Sequence, residues 1–126
     1  MTIHGDHYDA RISADTIAAA GKPGPWPAAR ATELLNFLAR SVETDLVLLD
    51  NVKTYLEDHN LDILDILSSL ENGTCFSGGM TTTRENIFRY SILGFAFGTL
   101  LRVDVIPSPS NASLNIVEIE LTSTHE

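Results

Sequence analysis

The spacing of apolar residues changes once along this chain, and that change constrains the fold more than any other feature. Before Gly73, apolar side chains recur every three or four residues, as on one face of a helix. After Ile87 they alternate with polar side chains, as in strands that bury one face. The sequence therefore predicts an α+β domain, with a helical N-terminal half packed on a three-stranded antiparallel sheet.

Three helices are predicted in the first half. The first begins near Pro27, because proline suits a first helical turn. The second runs from about Asp45 to Asp58, although its start is also compatible with an extended chain. The third begins after Asp62, a good N-cap, and ends at Gly73, which suits a left-handed C-cap. Apolar residues at helical spacing form the buried faces of the first two: Leu34, Leu35, Leu38 and Val42, then Leu48, Leu49, Val52, Tyr55 and Leu56.

Three strands are predicted in the second half, at 87–93, 99–106 and 114–121. Their short links indicate an antiparallel meander. The inner face is predicted to pack on the helices through Phe88, Tyr90, Ile92, Leu101, Val103, Val105, Val117, Ile119 and Leu121. The outer face then carries Arg89, Ser91, Arg102, Asp104, Glu118 and Glu120. Its simplest interpretation is a solvated face with ion pairs between strands, each worth ~0.2–1 kcal/mol.

The 126 residues suit one domain, and 44% apolar residues suffice for a core. Residues 1–25 are predicted to be a flexible N-terminal arm, because glycine and proline interrupt them, and residues 26–126 to be the single α+β domain. The arm also contains four residues of the types that bind metals: His4, Asp6, His7 and Asp9. A solvated tail explains them better, so neither a metal nor a cofactor is predicted.

The net charge of −9 limits the classes of partner. Residues 1–73 hold 5 basic and 12 acidic side chains, whereas residues 74–126 hold 3 and 5. Phosphate backbones are bound mainly by Lys and Arg, and only 8 are present, so general DNA binding is not expected. An acidic surface favours solubility or a basic protein partner.

The cysteine content and the apolar segments indicate a cytoplasmic protein. Cys75 is the single cysteine and cannot form an internal disulfide, which fits a reducing compartment. No secretory signal is visible, and no apolar stretch approaches the ~20 residues of a membrane span. With no histidine nearby in sequence, Cys75 is expected to be buried at a helix–loop junction and unreactive.

The basic residues of the second half are Arg84, Arg89 and Arg102, and they are the candidate catalytic residues. Arg89 and Arg102 are expected on one sheet face, with Arg84 in the loop that enters it. Guanidinium groups bind phosphates and stabilise the charge that develops in phosphodiester cleavage. Three acidic residues share the same face, and no general base is evident. Tyr90 is a possible acid or stacking residue, but the strand alternation turns it toward the core.

Two stretches of the chain carry a family resemblance. Asn60 to Leu67, followed by Phe76 and by Met80-Thr81-Thr82, is similar to a helix and loop of the MqsR toxins. Phe88 to Gly94 and then Leu101 to Val105 are similar to the central strands of those toxins. The region from about Ala31 to Leu121 thus resembles the MqsR-like family of the RelE-like superfamily. The resemblance implies a RelE-like fold and an endoribonuclease that cleaves messenger RNA and is neutralised by an antitoxin protein.

Most catalytic residues of that family have no counterpart in this chain. The toxins have a lysine two positions before Met-Thr-Thr, where this chain has Gly78, and a glutamine in the next strand, where it has Arg89. They have a tyrosine in the following strand, where this chain has Leu100, and a lysine near the end of the last strand, where it has Leu121. Arg102 matches a basic residue of the toxin strand.

Two functions therefore follow from the sequence. One is a toxin-like component of a toxin–antitoxin system with weak or altered endoribonuclease activity. The alternative is a non-catalytic acidic protein-binding module, such as an immunity protein or a phage-encoded inhibitor of nucleic-acid machinery.

Overall fold

The computed structural model describes residues 24–96, 98–108 and 113–122. Within these ranges there are three helices: α1 (Ala28–Arg40), α2 (Asp50–Asp58) and α3 (Ile63–Asn72). The same ranges contain six strands: β1 (Asp45–Leu48), β2 (Thr74–Cys75), β3 (Met80–Thr81), β4 (Phe88–Ala96), β5 (Thr99–Ser108) and β6 (Ser113–Thr122). The predicted arm lies outside the described residues, apart from Gly24 and Pro25. None of the described helices is long and apolar enough to span a membrane.

The strands form a mixed sheet in the order β1-β6-β5-β4-β2, with β3 also paired to β4. The antiparallel meander of β4, β5 and β6 is confirmed. The predicted fold class is nevertheless wrong, because the described sheet has six strands and β1 pairs with β6 in parallel. Nor do the helices form a separate N-terminal half, since β1 lies between α1 and α2.

The prediction failed at β1 because its local sequence is ambiguous. Residues 46–49 are continuously apolar, and their spacing joins smoothly to the apolar face of α2. Distant pairing with β6 decides the conformation, so the helix predicted from Asp45 begins only at Asp50. Val42, which was assigned to the buried face of the first helix, lies beyond the end of α1 and is fully exposed.

The ends of α3 show one prediction that is confirmed and one that is wrong. The Asp62 side chain accepts a hydrogen bond from the Leu64 N–H (2.8 Å), and the Asp65 side chain accepts one from the Asp62 N–H (2.9 Å). Gly73 does end the helix, but its φ is −82°, which is not left-handed. A Cβ there would lie 2.3 Å from the Ser69 carbonyl oxygen and 2.4 Å from that of Leu93. Glycine therefore permits close packing of α3 on β4.

The inner face of the sheet carries the predicted residues with one exception, and Phe88 and Leu121 pack at the margin of its core. Tyr90, Val103 and most of their predicted neighbours lie in the core. Val117 does not, because the register between β5 and β6 shifts after Asp104 and places Ile116 opposite Val105. An extra residue in one strand exchanges the two faces beyond it. Ile116 is consequently fully buried in place of Val117.

Candidate functional site

The outer face of β4, β5 and β6 brings together two of the three predicted site residues. The strand register places Arg102 opposite Glu120, and Asp104 opposite Glu118 and Ser91. Arg89 lies on the same face of β4 and reaches across to β5 and β6. The charged cluster, as we name it, consists of Arg89, Arg102, Asp104, Glu118 and Glu120.

Arg89 is held by two carboxylates. Its Nη2 donates to Asp104 Oδ2 at 2.5 Å and to Glu118 Oε1 at 2.7 Å, and its Nε donates to Asp104 Oδ2 at 3.1 Å. The hydrogen bonds to Asp104 are the main cause that raises the pKa of Arg89, and they outweigh the opposing effect of burial. The guanidinium is therefore a permanent cation that already has its counter-ions.

Arg102 is engaged in the same way on the neighbouring strand. Its Nη1 donates to Glu120 Oε1 at 2.8 Å, and its Nη2 lies 3.2 Å from Glu118 Oε2. Its buried Nε lies 3.2 Å from Asp104 Oδ1 but lacks the geometry of a hydrogen bond. The contact with Asp104 is therefore an electrostatic one, while Glu120 provides the directed bond.

Asp104 is the centre of the charged cluster. Its side chain is only 7% exposed, and it contacts both guanidinium groups. The Ser91 hydroxyl donates a further hydrogen bond to Oδ1 at 2.6 Å. A buried carboxylate requires such partners, because an unpaired charge away from water is costly. The cluster thus joins three strands around one buried anion.

The charge of the cluster decides what it can do chemically. Two arginines and three carboxylates give a net charge of −1. A phosphate approaching this face would have to displace carboxylates from both guanidinium groups. It would also face the repulsion of the displaced anions. The arrangement stabilises the sheet and is poorly suited to phosphate binding.

Arg84 lies apart from the cluster. It is exposed in the loop between β3 and β4, where its backbone N–H donates to Thr82 Oγ1 at 3.1 Å. Its side chain makes no ion pair or hydrogen bond with any residue of the described ranges. The structure therefore joins Arg89 to Arg102 and leaves Arg84 as a separate surface cation.

The possible acids and nucleophiles point away from this face. Tyr90 is 1% exposed and stacks on the Trp26 ring, and the backbone N–H of Trp26 donates to the Tyr90 hydroxyl at 2.9 Å. Burial raises the pKa of Tyr90, and burial likewise raises the pKa of Cys75, which is buried as predicted. His59 stacks on the Tyr55 ring, with centroids 3.8 Å apart. Each of these groups therefore has a structural role, and we assign none of them to chemistry.

A second polar region was not identified from the sequence. The acidic segment, which we define as Glu43, Asp45, Asp50, Glu57 and Asp58, lies exposed along β1 and α2. None of these carboxylates forms an ion pair with a described residue. Lys53 is the one basic residue between Glu43 and Asp58. The charge count indicated an acidic first half, but it could not distinguish unpaired carboxylates from paired ones.

The described ranges contain no group of three or more His, Cys, Asp or Glu side chains that could hold a metal ion, and His4, Asp6, His7 and Asp9 lie outside those ranges. No protein-family model, curated protein or solved structure matches this chain. The resemblance to the MqsR-like toxins accordingly stays a prediction from the residues quoted above.

Proposed function

We propose that this protein is a non-catalytic acidic binding module that acts by engaging a basic protein partner. One observation carries the proposal: the charged side chains of the charged cluster are paired with opposite charges, whereas those of the acidic segment are not paired with any described residue. Both arginines of the charged cluster already contact carboxylates. The five carboxylates of the acidic segment have no cation among the described residues. A partner that supplies Lys or Arg would complete that second set.

The ribonuclease alternative has less support. Cleavage of this kind requires cations that are free to contact a phosphate, and an acid and a base near it. Arg89 and Arg102 are held by Asp104, Glu118 and Glu120, and the cluster is anionic. Catalysis by Arg84, Arg89 and Arg102 in a toxin-like protein stays a prediction, and the experiment below tests it.

The compartment in which we propose that the module acts is the cytoplasm. The chain contains one cysteine, and Cys75 is buried with its pKa raised by that burial. A thiol of this kind suits a reducing environment and needs no oxidised partner. Basic targets there include the proteins that handle nucleic acids, because those proteins present Lys and Arg surfaces.

The proposal is tested by comparing RNA with a basic peptide. We expect bacteria that express the protein to grow normally with intact transcripts, and the purified protein to leave a single-stranded RNA oligonucleotide uncut. We expect a lysine-rich peptide to bind and its affinity to fall with salt, because exposed charges are screened. Transcript cleavage that disappears in a folded Arg84→Ala variant would replace this proposal with the toxin-like function.

A matched pair of variants separates specific binding from general attraction to an acidic protein. Glu43→Gln with Asp45→Asn removes two negative charges from the acidic segment. Glu71→Gln with Glu85→Gln removes the same charge elsewhere, since α3 and the loop before β4 adjoin β4, toward the opposite edge of the sheet from β1. We expect the first variant to bind the peptide more weakly than the second. Equal loss in both would show that only net charge matters.

A further inference from the structure

One edge of the sheet is unoccupied within the described residues. β1 is the terminal strand, paired in parallel with β6 from Asp45↔Ser113 to Leu48↔Ile116. The Leu49 N–H donates to the Ile116 carbonyl at 3.2 Å, which shows which residues of β1 hydrogen-bond to β6. In a parallel pair of strands, the backbone N–H and C=O groups of every second residue bond to the neighbouring strand. The N–H and C=O groups of Leu46 and Leu48 therefore point away from β6.

These groups have no partner among the described residues, and their side chains lie at the margin of the core. Leu46 and Leu48 are half-buried and pack against the core from its edge. Unpaired backbone groups along a strand edge are a template for another strand. β1 therefore offers two donors, two acceptors and an incompletely covered apolar margin.

The rest of this sheet edge is closed by α2, which makes the opening at β1 specific. Beyond β1, the Asn51 side chain donates to the Val117 carbonyl at 3.1 Å. The Tyr55 hydroxyl accepts from the Leu121 N–H at 2.9 Å. Side chains of α2 thus satisfy backbone groups on the free edge of β6, whereas no described side chain does so for β1.

The charge around β1 determines which partner fits. Asp45 is exposed on the outer face, and Glu43 and Asp50 flank the strand. Exposed apolar side chains lie beside them, with Val47 42% and Leu49 45% exposed. Antiparallel pairing of two copies through β1 would bring Glu43 of one copy toward Asp50 of the other, in molecules of net charge −9. Like charges opposite each other are destabilising, so a basic segment suits this edge better than a second copy.

We propose that an extended basic segment of a partner protein docks along β1 and extends the sheet by one strand. This inference rests on the proposed function and names its surface. Residues of the segment that face inward would cover Leu46 and Leu48 and should be apolar. Residues that face outward would lie near Asp45 and should be Lys or Arg. The expected segment therefore alternates basic and apolar residues, and backbone pairing supplies the docking geometry.

The experiment uses the full chain and an eight-residue peptide of alternating lysine and valine. Amide hydrogen exchange of the protein is followed by NMR during titration. We expect exchange at Leu46 and Leu48 to slow at least about tenfold at saturation, because their N–H groups become hydrogen-bonded. Exchange at Val47 should change little, since its N–H already faces β6.

Two methylated peptides test the backbone pairing without changing any charge. In one peptide every valine is replaced by N-methylvaline, and in the other every lysine is replaced by N-methyllysine. Only alternate residues of an added strand bond to β1, so one peptide should lose binding and the other should keep it. Equal binding by both, or no binding of the parent peptide at about 1 mM in low salt, would overturn the docking site.

The outcomes also separate this inference from the proposed function. Peptide binding without protection of Leu46 and Leu48 overturns the β1 site and leaves a basic partner in place. Protection that grows with protein concentration alone, without peptide, assigns the edge to a second copy and overturns the basic segment. RNA cleavage by the unmodified chain, as measured above, overturns the function itself.

Discussion

The charged cluster and the acidic segment contain similar residues and differ in how those residues are paired. In the charged cluster, Asp104 is buried between Arg89 and Arg102, and every member contacts an opposite charge. In the acidic segment, exposed carboxylates such as Asp45 and Asp58 have no cation among the described residues. The first arrangement uses its charge to hold the sheet together, and the second presents its charge to solvent or to a partner.

The difference shows how a basic residue can be misassigned to a site. Arg89 and Arg102 were candidates because they are among the few cations of the second half. Their contacts show that the surrounding carboxylates neutralise them. Availability for an incoming ligand depends on the partners that a charge already has, which residue type alone does not report.

The largest expected effect is at the centre of the charged cluster. Asp104→Ala should lower the free energy of unfolding by about 3 kcal/mol, because two half-buried guanidinium groups lose their buried counter-ion and the Ser91 hydroxyl loses its acceptor. Urea denaturation, followed by circular dichroism, measures this change.

The control for Asp104→Ala is Glu120→Ala in the same cluster. The Glu120 side chain is 50% exposed and contacts Arg102 alone. An exposed ion pair contributes little, so its loss should cost less than about 1 kcal/mol. Similar costs for the two variants would show that burial of Asp104 does not organise the cluster, and the comparison between the two regions would lose its basis.

An effect of intermediate size on the free energy of unfolding is expected at alkaline pH. It comes from titrating groups on the inner face of the sheet and not from the charged cluster on the outer face. Burial raises the pKa of the Cys75 thiol and that of the Tyr90 hydroxyl above their ordinary values. The unfolded chain therefore releases these protons at a lower pH than the folded chain does. Their contribution to stability is complete below the unfolded-state values, about pH 8.5 for the thiol and about pH 10 for the phenol. It is lost as the pH rises through the folded-state values, by up to ~1.4 kcal/mol per pH unit for each group.

The Cys75→Ala variant tests whether the inner face causes the fall of the unfolding free energy with rising pH. It should weaken the dependence of the unfolding free energy on pH above about pH 9. Arg89 contributes nothing to the slope there, because its pKa is raised and it keeps its charge. An unchanged slope in Cys75→Ala, and also in Tyr90→Phe, would place the titrating groups elsewhere.

The parts of the fold that were predictable depend on local signals. The N-cap at Asp62 needs only neighbouring residues, and the alternation of β4 and β5 marks strands without knowledge of their partners. β1 depends on pairing with β6, nearly seventy residues away in sequence. The bulge that removes Val117 from the core also depends on the partner strand. Neither leaves a local signal, so neither could be predicted.

The sequence predicted which residues of the charged cluster share a face, but it did not predict how they are buried and paired. Alternation placed Arg89, Asp104 and Glu118 on one face, and the structure confirms that placement. It could not show that Asp104 is buried or that each arginine has two or more anionic contacts. The open edge of β1 was unpredictable for a different reason, because β1 itself was taken for the start of a helix.

The smallest expected effect on stability belongs to the acidic segment, and its smallness is informative. Glu43→Gln with Asp45→Asn removes two exposed carboxylates that have no described cation, so the free energy of unfolding should change by less than about 0.5 kcal/mol. Any change should be a gain that shrinks between about 0.05 M and about 0.5 M salt, because screening removes the repulsion that the substitutions relieve. Urea denaturation at both salt concentrations measures it, since urea is uncharged. A loss above about 1 kcal/mol would mean that these carboxylates support the fold, and they would then be poor candidates for contacts with a basic partner.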